Sequence, residues 1–258
     1  MGDNSTTTKP ALEIALALSG GAARGSFHLG FIQALQENDV RIKAISGTSA
    51  GAIVGGAIAC GVKPRDVLEV IKSKPFRRIF RFNWFRSSLY RIDTQSPILQ
   101  TIFPLEKLQE TPIKFFVCVS DLNSNEVVYF QRGDGRKLIT ASCALVPLFA
   151  PIEFYDSLLA DGGIKDMLPT TPLLECGYPI LGINLVPNIL PQKRTIFALS
   201  RHIIHILLSC KVAEHIKHTR WYVSPDALEE IRMFSFKDLD KGFELGYLHG
   251  KAWCDENL

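Results

Sequence analysis

Nothing in the 258 residues forms an apolar run long enough to span a bilayer. The first apolar stretch, residues 12–18, has the length of a buried strand. Residues 196–210 are apolar but interrupted by Arg201, His202 and His205. The polar first ten residues lack a basic segment followed by an apolar one, so no signal peptide is read there. They are read as a flexible tail, in which Met1-Gly2 and Thr6 match only the loose form of a myristoylation pattern. Paired cysteines are also missing. Cys60, Cys118, Cys143, Cys176, Cys210 and Cys254 are scattered singly, with no Cys-x-x-Cys spacing, which argues against a zinc site or a disulfide framework. Five of the six have apolar neighbours in the chain, pointing to buried free thiols in a reducing, cytoplasmic setting. No cluster of ligating residues calls for a metal, and no organic cofactor is expected. The net charge of +3 is too mild for a dedicated nucleic-acid binder.

What is present is ordinary globular material: 47% apolar and 21% charged residues, in a length that fits one domain, read as residues 11–258. Residues 12–18 and 41–46 read as buried strands, and helices are expected over about 26–38, 50–59 and 64–72. Paired strands are expected at 113–121 and 126–131, and a helix at 136–145. Short strands follow at 157–160 and 179–186. Residues 195–218 read as one long amphipathic helix and 237–256 as a final one, making 195–258 a helical C-terminal part. The alternation of strand and helix predicts an α/β fold, a three-layer α/β/α sandwich on a mostly parallel sheet.

Two loops between strand and helix carry chemical promise. Gly47-Thr48-Ser49-Ala50-Gly51 fits Gly-x-Ser-x-Gly, in which a tight turn lifts a serine out of a strand end. The plain alternative is a glycine-rich turn with Ser49 capping the helix. Residues 19–25, Ser-Gly-Gly-Ala-Ala-Arg-Gly, offer backbone N–H groups at a helix start to a phosphate or a tetrahedral oxyanion. The loop lacks the Gly-Lys-Ser/Thr of a P-loop. Parallel neighbouring strands would bring both loops to one sheet edge.

A serine nucleophile needs a base. The downstream histidines His202, His205, His215, His218 and His249 fall on expected helices, and His28 precedes the serine; none sits in a small-residue loop. Asp161 follows a short strand and precedes Gly162-Gly163, so it is a candidate at a strand end, with a simple Asp-Gly turn as the alternative.

Taken in order, Gly20-Gly21-Ala22-Ala23-Arg24-Gly25, Gly47 to Gly51 and Asp161-Gly162-Gly163 resemble the patatin-like phospholipase family, most nearly its short bacterial-type members. Ala141-Ser142, Pro147, Phe149 and Pro151 before the aspartate, and Leu168-Pro169 after it, add to the likeness, which spans about residues 11–185. The resemblance implies hydrolysis of lipid acyl esters by a Ser–Asp dyad: Ser49 as nucleophile, Asp161 as base, an acyl-enzyme between them. It implies an oxyanion hole from the amides of Gly20, Gly21 and Ala22, with Arg24 stabilising the loop. Gly25, Gly47, Gly51, Gly162 and Gly163 support the motifs. Ala22 stands where many members carry a third glycine. Other readings are a soluble esterase, a thioesterase or acyltransferase, and a lipid-binding regulatory protein with little turnover.

Residues 72–91 hold seven basic residues, six aromatics and no acid. Two functions fit: peripheral contact with an anionic membrane, or a structured cap over the cleft.

Overall fold

The computed structural model describes residues 11–84, 88–186 and 195–258; the tail expected for residues 1–10 lies outside them. β1 (Glu13–Leu18) leads into α1 (Gly25–Glu37), and β2 (Arg41–Thr48) into α2 (Ala50–Ala59). There follow α3 (Pro64–Lys72), α4 (Lys74–Arg77), a hairpin of β3 (Phe80–Phe82) and β4 (Tyr90–Ile92), and α5 (Ile98–Ile102). Then come β5 (Lys114–Asp121), β6 (Glu126–Phe130), α6 (Gly135–Ser142), β7 (Ile152–Phe154), β8 (Ser157–Asp161) and β9 (Ile180–Ile183). α7 (Ile196–Ser209), α8 (Val212–Ile216), β10 (Trp221–Val223) and α9 (Leu239–Asn257) complete the described chain.

The expected α/β sandwich is present, and its sheet is mixed, mostly parallel. The order is β10-β9-β1-β2-β5-β8-β7, with β6 on β5. From β10 to β5 every pairing is parallel, whereas β6, β8 and β7 join antiparallel. β1 explains the layering. Its alternate residues Ile14, Leu16 and Leu18 enter one apolar cluster together with Phe27, Phe31 and Phe243, while Ala15 and Ala17 enter another with Leu168, Leu173 and Val212. A strand buried on both faces must be apolar throughout, which is why residues 12–18 show no polar alternation. α1 and α9 pack together over the first face.

One feature of the sheet positions the site. β6 occupies one edge of β5 at Val117 to Asp121. On the other edge β2 pairs in parallel as far as Thr48 opposite Cys118, and β8 runs in antiparallel with Asp161 opposite Val119. The C-terminal ends of β2 and β8 therefore meet head-on along the same strand, bringing residues 48 and 161 to adjacent places although more than a hundred residues separate them.

The C-terminal part departs from expectation. Residues 195–218 are not one helix: a turn at Cys210 and Lys211 divides α7 from α8, and the segment that follows contains a strand, β10, paired to β9. Val212 and His215 of α8 are buried, whereas Ile203, Ile206 and Leu207 of α7 are exposed.

Candidate active site

β2 continues through Gly47 and Thr48, beyond its expected end, and α2 begins at Ala50. Ser49 alone forms the turn, with φ 54° and ψ −119°. A non-glycine residue held at positive φ is strained, and such strain persists only where the surroundings fix it. The fixing contacts are specific. The Ser49 N–H donates to Ser142 Oγ at 2.9 Å, and that hydroxyl donates in turn to the Cys118 carbonyl at 2.6 Å. Thr48 Oγ1 donates to the Asp166 carbonyl at 3.0 Å. Close approach accounts for the glycines: a Cβ at Gly51 would strike the Leu18 carbonyl, and one at Gly47 the Gly51 carbonyl. Ser142 is the residue that sequence reasoning left without a role. It ends α6, and no spacing rule links it to a turn ninety-three residues earlier.

Asp161 closes β8 and is buried. Its Oδ1 accepts the Gly163 N–H at 2.8 Å, and its backbone carbonyl accepts the Ser120 hydroxyl at 2.9 Å. Gly162 lies so close to the Cys118 carbonyl that a Cβ there would clash, and Gly163 packs beside Met167. Burial pushes the Asp161 carboxyl up to about 6, against the downward pull of the Gly163 N–H and the nearby Ser49 hydroxyl. It is thus ionised at neutral pH but markedly more basic than an exposed aspartate.

The glycine loop comes to the same edge, because β1 and β2 are parallel neighbours with Leu18 opposite Gly47. A Cβ at Gly20 would lie 3.2 Å from Ser49 Cβ, so the loop rests directly on the turn. Among the described residues, the N–H groups of Gly20, Gly21 and Ala22 donate to no backbone acceptor. Arg24 is buried under the loop, its Nε–H donating to the Ile231 carbonyl at 2.9 Å and its Nη1 to the Leu185 carbonyl at 3.1 Å. It ties the loop to two later segments of the chain. Burial lowers its guanidinium from the ordinary value. Gly25 starts α1 against Ala50 of α2. Ala22 carries φ 50°, so the departure from glycine has a conformational cost. Ala22→Gly is expected to raise stability by about 1 kcal/mol with hydrolysis retained, measured by urea unfolding alongside an ester assay.

The histidines do other work. His28 Nε2 lies 3.0 Å from the Ser19 carbonyl, and burial pushes the ring down to about 4, so it is neutral at physiological pH and donates that N–H as an anchor of the loop. His215 Nδ1 is 2.9 Å from Thr170 Oγ1 and 3.7 Å from Asp166, whose other oxygen accepts the Tyr129 hydroxyl at 2.6 Å. His218 also meets Thr170, and His249 packs against Phe27. The side chains of His202 and His205 lie outside the described residues. No described histidine hydrogen-bonds to Ser49 or Asp161.

A narrow apolar pocket adjoins the turn, lined in part by Ile53, Phe76, Phe80, Ile139 and Cys143. Its Cys143 wall lies beside the Ser49 turn, and burial pushes that thiol well up, so it is a neutral wall. Phe76 and Phe80 come from residues 72–91, part of which therefore covers this pocket. Three of the six described basic residues of this segment are engaged. Lys72 pairs with Glu69 and Asp240, Arg81 with Asp93 at 2.6 Å, and Arg77 stands over the Phe236 ring. At the hairpin's outer end Phe82, Trp84 and Tyr90 are exposed, while residues 85–87 lie outside the described part. All six cysteines are free, but only Cys118 and Cys254 are buried, and Cys210 is exposed, so the expectation of buried thiols holds for two. No described helix is long and apolar enough to cross a membrane, and no described group of acidic, histidine and cysteine side chains could hold a metal ion.

Comparison with known proteins gives the family. The family model for patatin-like phospholipases matches residues 16–174, which contain all three glycine motifs. An uncharacterised NTE family protein of Mycobacterium tuberculosis is 37% identical over 163 residues, 62% of this chain and 45% of the relative. A lysophospholipase NTE1 of Cryptococcus neoformans is 31% identical over 179 residues, 64% of this chain but 10% of that protein. The chain thus spans less than half the length of these relatives. Among solved structures, VipD from Legionella pneumophila superposes with a TM-score of 0.58 at 14% identity, over 94% of this chain and 67% of that one, a likeness of fold.

Proposed function

Since this chain belongs to the patatin-like phospholipase family, we propose that it cleaves carboxylic esters of phospholipids or lysophospholipids, with Ser49 as nucleophile and Asp161 as sole general base. The observation that carries the proposal is a buried carboxylate, raised to about 6 and influenced by the nearby Ser49 hydroxyl, at a strained turn where β2 and β8 meet and no described histidine bonds to either group. A base slightly below neutrality is ionised yet basic enough to share the proton in the transition state.

Ser49 Oγ forms a bond to the ester carbonyl carbon while its proton passes to Asp161. The oxyanion so formed is met by the N–H groups of Gly20, Gly21 and Ala22, which no other backbone acceptor claims among the described residues. Collapse breaks the bond to the alcohol oxygen, which leaves with the proton from Asp161. Asp161 then takes a proton from water as the water oxygen attacks the acyl carbon; the bond to Ser49 Oγ breaks, Asp161 returns the proton to Oγ, and the fatty acid leaves. The narrow pocket beside Cys143 offers apolar walls, Ile53, Phe76, Phe80 and Ile139, to a hydrocarbon chain that opens it on binding. Exposed Phe82, Trp84 and Tyr90 on the cap hairpin support peripheral contact with the lipid that holds the substrate.

A substrate panel tests this reading. Hydrolysis of a lysophospholipid carrying a long acyl chain should exceed that of an acetate ester of similar leaving group by about 100-fold or more in kcat/KM, since each buried methylene adds about 0.8 kcal/mol when the cleft takes it up. Equal rates on both, or turnover confined to thioesters, would rule out the lipid-ester reading.

A further inference from the structure

We propose that helix α7 is a docking element for an anionic lipid surface, set beside the catalytic turn; the inference rests on the lipid-ester reading above. The first observation is an exposed stripe. Ile196, Leu199, Ile203, Ile206 and Leu207 are 74%, 41%, 56%, 49% and 63% exposed. Their spacing of three and four residues puts them on one side of the helix, where they make a continuous apolar strip. Single exposed leucines are ordinary on protein surfaces, but five large aliphatic side chains in one strip are a surface built for an apolar partner.

The second observation is position. α7 packs against Gly162–Ile164, the turn directly after Asp161. The strip therefore belongs to an element that stands on the catalytic segment. The third observation is charge. No acidic residue occurs between Glu175 and Glu214, while Lys193, Arg194, Arg201 and Lys211 fall within that stretch. An apolar helix in a long acid-free, basic segment fits an interface of anionic headgroups over acyl chains. The same spacing would also suit pairing with a second copy of the chain, but helix pairing gives no reason for the missing acids, and lipid does.

The Ser49→Ala protein, which leaves lipid intact, is mixed with vesicles of phosphatidylcholine alone and of phosphatidylcholine with phosphatidylglycerol, and bound protein is separated by flotation. Binding is expected to the phosphatidylglycerol vesicles, weaker on neutral ones and reduced by added salt. Adding Ile203→Glu and Ile206→Glu should weaken it at least about 100-fold, because two aliphatic groups no longer enter the acyl region. Both positions are exposed, so the thermal midpoint should not move; if the double change does unfold the chain, the milder Leu207→Gln must weaken binding several-fold. With Ser49 restored, the Ile203→Glu, Ile206→Glu protein should hydrolyse a soluble short-chain ester at the wild-type rate. Vesicle binding that persists in the folded α7 variants overturns the proposal. So does a concentration-dependent dimer, lost in those variants while vesicle binding stays. Binding that depends on α7 in a protein without esterase activity would uphold the docking role and remove the hydrolytic reading on which it rests.

Discussion

Ser49→Ala should abolish ester hydrolysis, with a fall in kcat of at least about four orders of magnitude, while the protein unfolds at essentially the wild-type temperature. The asymmetry follows from the turn. The hydroxyl supplies the attacking oxygen, and no neighbouring group can replace it: Cys143 lies beside it, but burial holds that thiol protonated. Removing one oxygen leaves the features that shape the turn in place. The N–H bond to Ser142 Oγ is made by the backbone, and the close approach of Gly51 to Leu18 is independent of the side chain. Alanine inherits the same φ of 54°, so the strain is neither relieved nor increased. Ser49→Gly should be equally inactive but more stable than Ser49→Ala by about 1 kcal/mol, since glycine accepts positive φ without a Cβ clash. Steady-state kinetics and thermal unfolding on the three proteins read both parts.

Asp161→Asn should be nearly as damaging to activity and should at the same time stabilise the fold at neutral pH. Asparagine can still accept from Gly163 and Ser49 through its amide oxygen, but it cannot take a proton from the serine. The stability change comes from linkage. The folded carboxyl titrates near 6 and the unfolded one near 3.8, so between those values the folded state holds more protons than the unfolded state. This group's contribution to stability is therefore most favourable below pH 3.8 and is lost as pH rises through 6, a swing of about 3 kcal/mol. The uncharged variant does not have that swing. The difference in unfolding free energy, variant minus wild type, should be positive at pH 8 and shrink as pH falls from 7 to 4. Wild-type activity should show the complementary profile: kcat/KM falls in proportion to acid below about pH 6 and is level above it. A variant destabilised at pH 8, or an activity profile flat down to pH 4, would remove Asp161 as a buried base.

Much of this was legible in the sequence, and the reasons are local. Residues 12–18 read as a buried strand, and the observed β1 sends Leu16 one way and Ala17 the other. The helix starting at Pro64 was marked by a residue preorganised for that position. Gly-x-Ser-x-Gly and Asp-Gly-Gly were visible because close backbone approach leaves glycine where a Cβ would clash, as at Gly51 and Gly162. What was not legible depends on contacts remote in the chain. Ser142 supports the Ser49 turn from another helix. The head-on meeting of β2 and β8 along β5 is a property of sheet order, which local periodicity does not encode. The acid-free segment 72–91 looked like a uniformly charged patch because Asp93, Glu69 and Asp240, which neutralise Arg81 and Lys72, lie outside it. The apolar residues of 195–218 suggested one helix, since hydrophobic spacing alone does not reveal that one half faces the core and the other half solvent.

Reaction with a fluorophosphonate probe, followed by peptide mass mapping, tests the dyad most directly. The account predicts one equivalent of probe, attached to Ser49, with a labelling rate that falls below about pH 6 in the wild type and is lost in Asp161→Asn. The rate should be unchanged when His215, His218 or His249 is replaced singly. Labelling of another residue, labelling of Ser49 at full rate in Asp161→Asn, or loss of labelling on replacing one of those histidines in a folded protein would contradict it.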